Sequence, residues 1–226
     1  MVGSSEVPVI RVEPGRIISI LSENEPVPGC TISRPIVSDE RIGTSFFSLA
    51  KGTDIGAESY SYPRLFIVDE GSIGFFDING TTTFVAKGEC AFFDRDTPLG
   101  VSADKDSVYT EMDLLGVSMN QAIKDGTVFE LGSLVPYQEG RIVNMDLINE
   151  NGVKYVLMAF DEGTGLSEHA APGEAIVFAI DGKATIGYEG EEHTVEKGQC
   201  FKFAKGGKHY VKALGRFKMA LLLMKP

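Results

Sequence analysis

Short apolar runs separated by glycine-bearing turn pairs recur along the whole chain. In the second half the runs cover 154–160, 175–180, 184–188, 192–195, 199–204, 209–213 and 217–224. Asp181-Gly182, Glu189-Gly190 and Lys197-Gly198 stand between them, glycine supplying the positive φ that a tight turn needs. Turn signals at a spacing of about 8–12 residues predict an all-β sandwich or barrel. The polar–apolar alternation is imperfect, as expected where both faces of a strand are covered. One segment breaks the pattern. Ser118-Met119-Asn120-Gln121 has the form of a capping box, and Gly126 follows as a left-handed stop. This predicts one short helix over 119–125.

The chain repeats itself. Residues 29–52 match 140–163 without a gap, at an offset of 111 that also relates Gly71 to Gly182. One residue is then lost, so Gly88 and Cys90 correspond to Gly198 and Cys200 at an offset of 110. A period of that length is about one small domain. The expected organisation is a first barrel over 1–117, a linker with the short helix over 118–128, and a second barrel over 129–226. The two copies are expected to pack through equivalent edges, as a covalent imitation of a single-domain dimer.

Composition narrows the function classes. A net charge of −11 disfavours phosphate backbones and anionic lipid, so neither nucleic acid nor membrane is an expected partner. No apolar run approaches a membrane span; the longest near the end, 219–224, is strand-length. The opening Met1-Val-Gly-Ser-Ser-Glu-Val-Pro has no basic stretch followed by an apolar core, so no export leader is expected. Cys30, Cys90 and Cys200 cannot all pair and have no Cys-x-x-Cys spacing, which suits a reducing cytoplasm.

Gly163, His169, Ala171, Ala175 and Gly182 are followed by Gly198, Ala204, Gly206 and His209. This arrangement resembles the two motifs of the cupin family, with agreement at every anchor spacing. The first copy fits the same frame with Gly52, Glu58, Tyr60, Arg64 and Gly71, then Gly88, Asp94, Asp96 and Leu99. The resemblance implies two double-stranded β-helix (jelly-roll) barrels in one chain, a bicupin. The family's metal sites use three histidines and a glutamate. His169 and His209 match the first and last histidines, whereas Ala171 and Ala175 replace the middle histidine and the glutamate. Glu174 sits one residue early and would face the opposite way unless the Pro172-Gly173 bend resets the register. In the first copy all four positions are lost, so that barrel is expected to be free of metal.

Two neutral imidazoles can hold one divalent ion (zinc, manganese, iron, nickel or copper), with open positions for water or ligand. The alternative is a hydrogen-bonded pair lining a cavity. Ala171, Ala175 and Val177 would form a small apolar wall beside the histidines. Lys205 and Lys208 lie in a stretch with no acidic residue after Glu196, and they would draw an anionic ligand such as a small carboxylate. His193 reads as a surface or rim residue, Cys90 and Cys200 as packing residues, and Arg64 as the internal partner of Glu58. Two functions stay open: metal-dependent chemistry on a small anionic or polar compound, or a non-catalytic ligand-sensing or structural module. The expected state is monomer or homodimer.

Overall fold

The computed structural model describes residues 10–226, so the octapeptide read for a leader lies outside the described residues. The first half contains β1 (Ile17–Ser19), β2 (Thr31–Ser38), β3 (Gly43–Leu49), β4 (Asp54–Glu58), β5 (Arg64–Glu70) and β6 (Ser72–Phe76). It continues with β7 (Thr82–Ala86), β8 (Cys90–Phe93), β9 (Leu99–Ala103) and β10 (Ser107–Asp113). The second half contains β11 (Thr127–Phe129), β12 (Ile142–Glu150), β13 (Val153–Phe160), β14 (Gly165–Ala170) and β15 (Glu174–Tyr188). It ends with β16 (Glu191–Glu196), β17 (Gln199–Phe203) and β18 (Lys208–Met224). The repeat holds strand for strand, with β15 spanning the counterparts of β5 and β6, and β18 those of β9 and β10.

In the first half a six-stranded sheet in the order β11-β8-β5-β10-β3-β2 faces a four-stranded sheet, β4-β9-β6-β7. In the second half the long strands β15 and β18 run through both layers and join them into one eight-stranded sheet with β1, β12, β13, β14, β16 and β17. Strand parity then assigns the cores. Phe66, Val68 and Tyr109 turn into the first interior, and Ala175, Val177 and Phe201 into the second. Their alternating neighbours Leu65, Met112, Ile176 and Leu222 turn outward, into a third apolar cluster built from both halves.

Two strands are exchanged. Ile18 of β1 pairs with Cys200 of β17, and Phe129 of β11 pairs with Cys90 of β8. Each copy therefore lends its opening strand to the sheet of the other. The copies are interlocked by main-chain hydrogen bonds as well as by apolar contact.

Two local expectations fail for identifiable reasons. Residues 119–125 form turns, and the one helical element among the described residues is a single 3-10 turn at Leu131–Leu134. The backbone N–H of Ser118 donates to Glu150 (2.9 Å) and that of Asn120 to the Leu147 carbonyl (2.8 Å), so β12 takes donors the helix start would have used. The Asn120 side chain then accepts from Ala122 N–H at 2.9 Å, closing a local turn that competes with a helix. At Asp181-Gly182 there is no chain reversal. β15 continues across it with register shifts on either side, the bend by which a strand passes between layers.

Candidate functional site

β14 and β18 meet at His169 and His209, which are direct cross-strand partners. Ala171 and the Gly206-Gly207 turn fasten this end of the pair, Ala171 N–H donating to the Gly207 carbonyl (3.0 Å) and Gly206 N–H to the Ala171 carbonyl (2.8 Å). The ring centroids of the histidines lie 4.2 Å apart. His209 is buried, 7% exposed, and stacks on Phe203 at 4.0 Å, whereas His169 is open to solvent. Each ring is oriented from behind: His169 Nδ1 lies 2.9 Å from the Ser167 carbonyl and His209 Nδ1 lies 3.1 Å from the Gly207 carbonyl. A carbonyl only accepts, so Nδ1 carries the proton in each ring and Nε2 keeps its lone pair. Burial lowers the His209 pKa, outweighing the Gly207 hydrogen bond, and the His169 charge lowers it further. Burial thus favours the neutral form of this imidazole, the form able to act as a ligand.

The other sequence candidates divide. Ala171, Ala175 and Val177 are all buried on the inward face. Ala175 stands directly across from Phe203 and Val177 from Phe201, so rings take up the space beside the small side chains. The histidines sit over a packed aromatic floor. Glu174 is not brought to them. Its parity turns it away, and its carboxylate accepts from Ile10 N–H (2.9 Å) and pairs with the buried Lys202 ammonium (2.9 Å), which also donates to the Ile10 carbonyl at 2.5 Å. The Pro172-Gly173 bend does not reset the register. Lys205 and Lys208 are exposed, and Lys208 has the opposite parity to His209, leaving on the outer face.

His193 differs from its sequence reading. Paired with Ile186, it shares the inward parity of Val195 and packs on Phe201 at 4.9 Å between ring centroids. All three histidines of the chain thus face one interior, linked through Phe201 and Phe203. The alternation His193, Val195 was the signal available in the sequence.

In the first barrel Arg64 does not pair with Glu58. It sits 3.5 Å from Glu111 and 4.1 Å above the Tyr60 ring, while the Tyr60 hydroxyl donates to Glu58 at 2.5 Å. Glu111 and Asp113 follow Tyr109 at inward parity, and Gly43 leaves room for Asp113. Desolvation pushes Glu111 up to about 7, Asp113 adding to the push and Arg64 opposing it.

Residues 156–225 match the family described as the cupin domain. The whole chain resembles a cupin 2 conserved barrel domain protein from Leptotrichia buccalis: TM-score 0.83, 25% identity, 96% of this chain and 100% of that one covered. The fold is a cupin fold. More distant likenesses show the same fold in proteins of different activity. Salicylate 1,2-dioxygenase from Pseudoaminobacter salicylatoxidans superposes with a TM-score of 0.59 at 11% identity, covering 81% of this chain and 68% of that one. A mutant of oxalate decarboxylase from Bacillus subtilis superposes at 0.54 and 12% identity, covering 95% and 78%. No curated protein matches the sequence. Among the described residues no helix is long and apolar enough to cross a membrane.

The resemblance of the His169 and His209 motifs to cupin metal motifs makes the donor set here a direct question. His169 and His209 offer two imidazoles on paired strands, and no group of three or more His, Cys, Asp or Glu is placed to hold an ion among the described residues. The pair fits a divalent ion as a half-site, with the remaining positions open to oxygen donors from outside the chain.

Proposed function

We propose that this cupin binds a small molecule at the His169–His209 pair of its C-terminal barrel, and that a divalent ion shared between the imidazoles and the ligand anchors it. The observation that carries this reading is the tautomer: both Nδ1 atoms are committed to backbone carbonyls, which leaves Nε2 unprotonated on two rings whose centroids lie 4.2 Å apart. When bound, such an ion supplies Lewis-acid polarisation of a ligand oxygen. The chain's own groups orient and shield. Ser167 and Gly207 fix the ring planes, Phe203 stops the His209 ring from turning, and the aromatic floor confines a ligand to the mouth. A compact carboxylate suits the site, with Lys205 contributing positive potential at the rim.

The second reading is a non-catalytic ligand-sensing or structural module that has lost metal and activity, and it rests on Ala171 and Ala175 standing where two further ligands would be. This second reading predicts no metal binding, whereas the first predicts zinc or manganese binding by calorimetry on protein without a histidine tag. His169→Ala and His209→Ala should each abolish it, and binding should weaken below about pH 6.5, where free imidazole protonates. Small carboxylates should then raise the melting temperature more than neutral analogues do, an effect reduced by Lys205→Glu. Stoichiometric metal retained by the double histidine variant would sink the assignment.

A further inference from the structure

Where the two halves meet there is a cavity of about 570 Å³, lined by residues of both. That is the size of small-molecule sites, roughly 300–1,000 Å³, and domain interfaces are a preferred place for them. Its walls are largely apolar, with Ile67 and Leu131 facing Tyr155, Phe178, Ile180 and Ala220. The internal repeat shows what is unusual about the lining. Asp69 corresponds to Ile180 at the offset of 111, and Thr110 corresponds to Ala220 at the offset of 110. The cupin framework accepts an apolar pair at these positions in one copy and carries a carboxyl with a hydroxyl in the other.

Thr110 Oγ1 donates to Asp69 Oδ2 at 2.7 Å, and no Lys, Arg or His pairs with Asp69 among the described residues. Desolvation pushes its pKa up to about 7, only partly offset by the Thr110 hydrogen bonds. The neighbouring Cys90 thiol and Tyr155 hydroxyl are raised by burial as well, with the Asp69 charge adding to both, so neither supplies a countercharge. At the rim Lys87 pairs with Glu70 at 2.7 Å, and Lys197 makes no ion pair with Asp69 among the described residues. A carboxyl that the fold does not require, in an apolar chamber and without a cation, is costly to keep and marks a recognition point.

We propose that this interface cavity is a second small-molecule site, separate from the imidazole pair, and that it takes a compact apolar amine. The ammonium would dock on Asp69, supplying the missing countercharge, while the hydrocarbon packs against Ile67, Phe178 and Ile180. The net charge of −11 favours arrival of a cation.

The test compares 2-phenylethylamine with 2-phenylethanol, which share the hydrocarbon and differ at the polar group. Titration calorimetry at pH 7.5 should give the amine at least tenfold tighter binding than the alcohol. Asp69→Asn, close in shape and uncharged, should weaken the amine to the alcohol's affinity, whereas His169→Ala with His209→Ala should leave it unchanged. The thermal transition of each variant checks that it is folded. Equal binding of the two compounds by the natural protein overturns the proposal without reference to any variant. So does amine binding that survives Asp69→Asn within twofold, that is lost with the histidines, or that does not saturate at millimolar concentration.

Discussion

Arg64 occupies the first-copy position at which cupin metal sites carry a glutamate, and the barrel around it is rebuilt to match. A buried guanidinium needs an acidic partner, and Glu111 and Asp113 provide it from the adjacent strand β10. Burial raises both carboxyls; Asp113 adds to the push on Glu111, which reaches about 7, whereas Arg64 and a hydrogen bond with Glu111 oppose the rise of Asp113. The sign of the consequence follows from linkage. Below its ordinary value of 4.5 Glu111 is protonated in folded and unfolded chains alike, and its contribution to stability is intact. As pH rises through about 7 the folded state must ionise a desolvated carboxyl that the unfolded chain has already ionised in water. Stability should therefore fall by about 2–3 kcal/mol between pH 5 and 8 on account of this group. Urea unfolding of Glu111→Gln should show a flatter pH profile over that window; an unchanged slope would refute the assignment.

Single residues also decide how whole elements run. Gly182 lies inside β15 with φ +69°, and a Cβ there would come within 2.0 Å of the Arg216 carbonyl oxygen. Its counterpart Gly71 has φ +81° and would meet Ser107 Oγ at 2.3 Å. In both copies the bend between layers brings β15 or β5–β6 against the backbone of the neighbouring strand, and only glycine fits. Gly182→Ala should lower unfolding free energy by about 2–4 kcal/mol. Gly163→Ala has a similar φ of +75° but nothing within 4 Å, and should cost only about 1–2 kcal/mol. Equal melting temperatures for the two variants would show that the close approach carries no weight. The segment over 119–125 illustrates the converse: its capping residues are adequate for a helix, yet β12 offers its backbone donors and Asn120 better partners.

At the scale of the molecule, the exchange of β1 and β11 makes each barrel depend on the other copy's chain. Ile18 and Phe129 sit opposite Cys200 and Cys90 and belong to the apolar cluster between the halves or pack against it. Burying such a side chain is worth about 1.5–3 kcal/mol, so a charge in its place should release the strand. Ile18→Asp should then speed amide exchange in β17, in the opposite half of the sequence, and Phe129→Asp should do so in β8. Exchange that rises only near the substituted residue would contradict the interlocked arrangement. Docking by Arg41, whose guanidinium donates to the Asn151 (2.9 Å) and Lys225 (3.0 Å) carbonyls, adds a polar clasp to the same interface.

Local rules determined much of this protein. The all-β class, the doubling of one fold and the meeting of His169 with His209 were legible because turn glycines and motif spacing act over a few residues and are written twice. Strand parity even excluded Glu174 unless the bend intervened, and would have turned His193 inward had it been applied there. Tertiary structure alone decided the rest. Glu174 finds Lys202 and Ile10, the latter two separated by 192 residues, and no pattern within either segment names the other. The exchanged strands, the acidic partner of Arg64, the rings filling the space beside Ala175 and Val177, and the chamber holding Asp69 all arise between distant segments. An edge, an unpaired charge or an empty volume is settled by whichever surface arrives to meet it, and that depends on how the two copies close on one another.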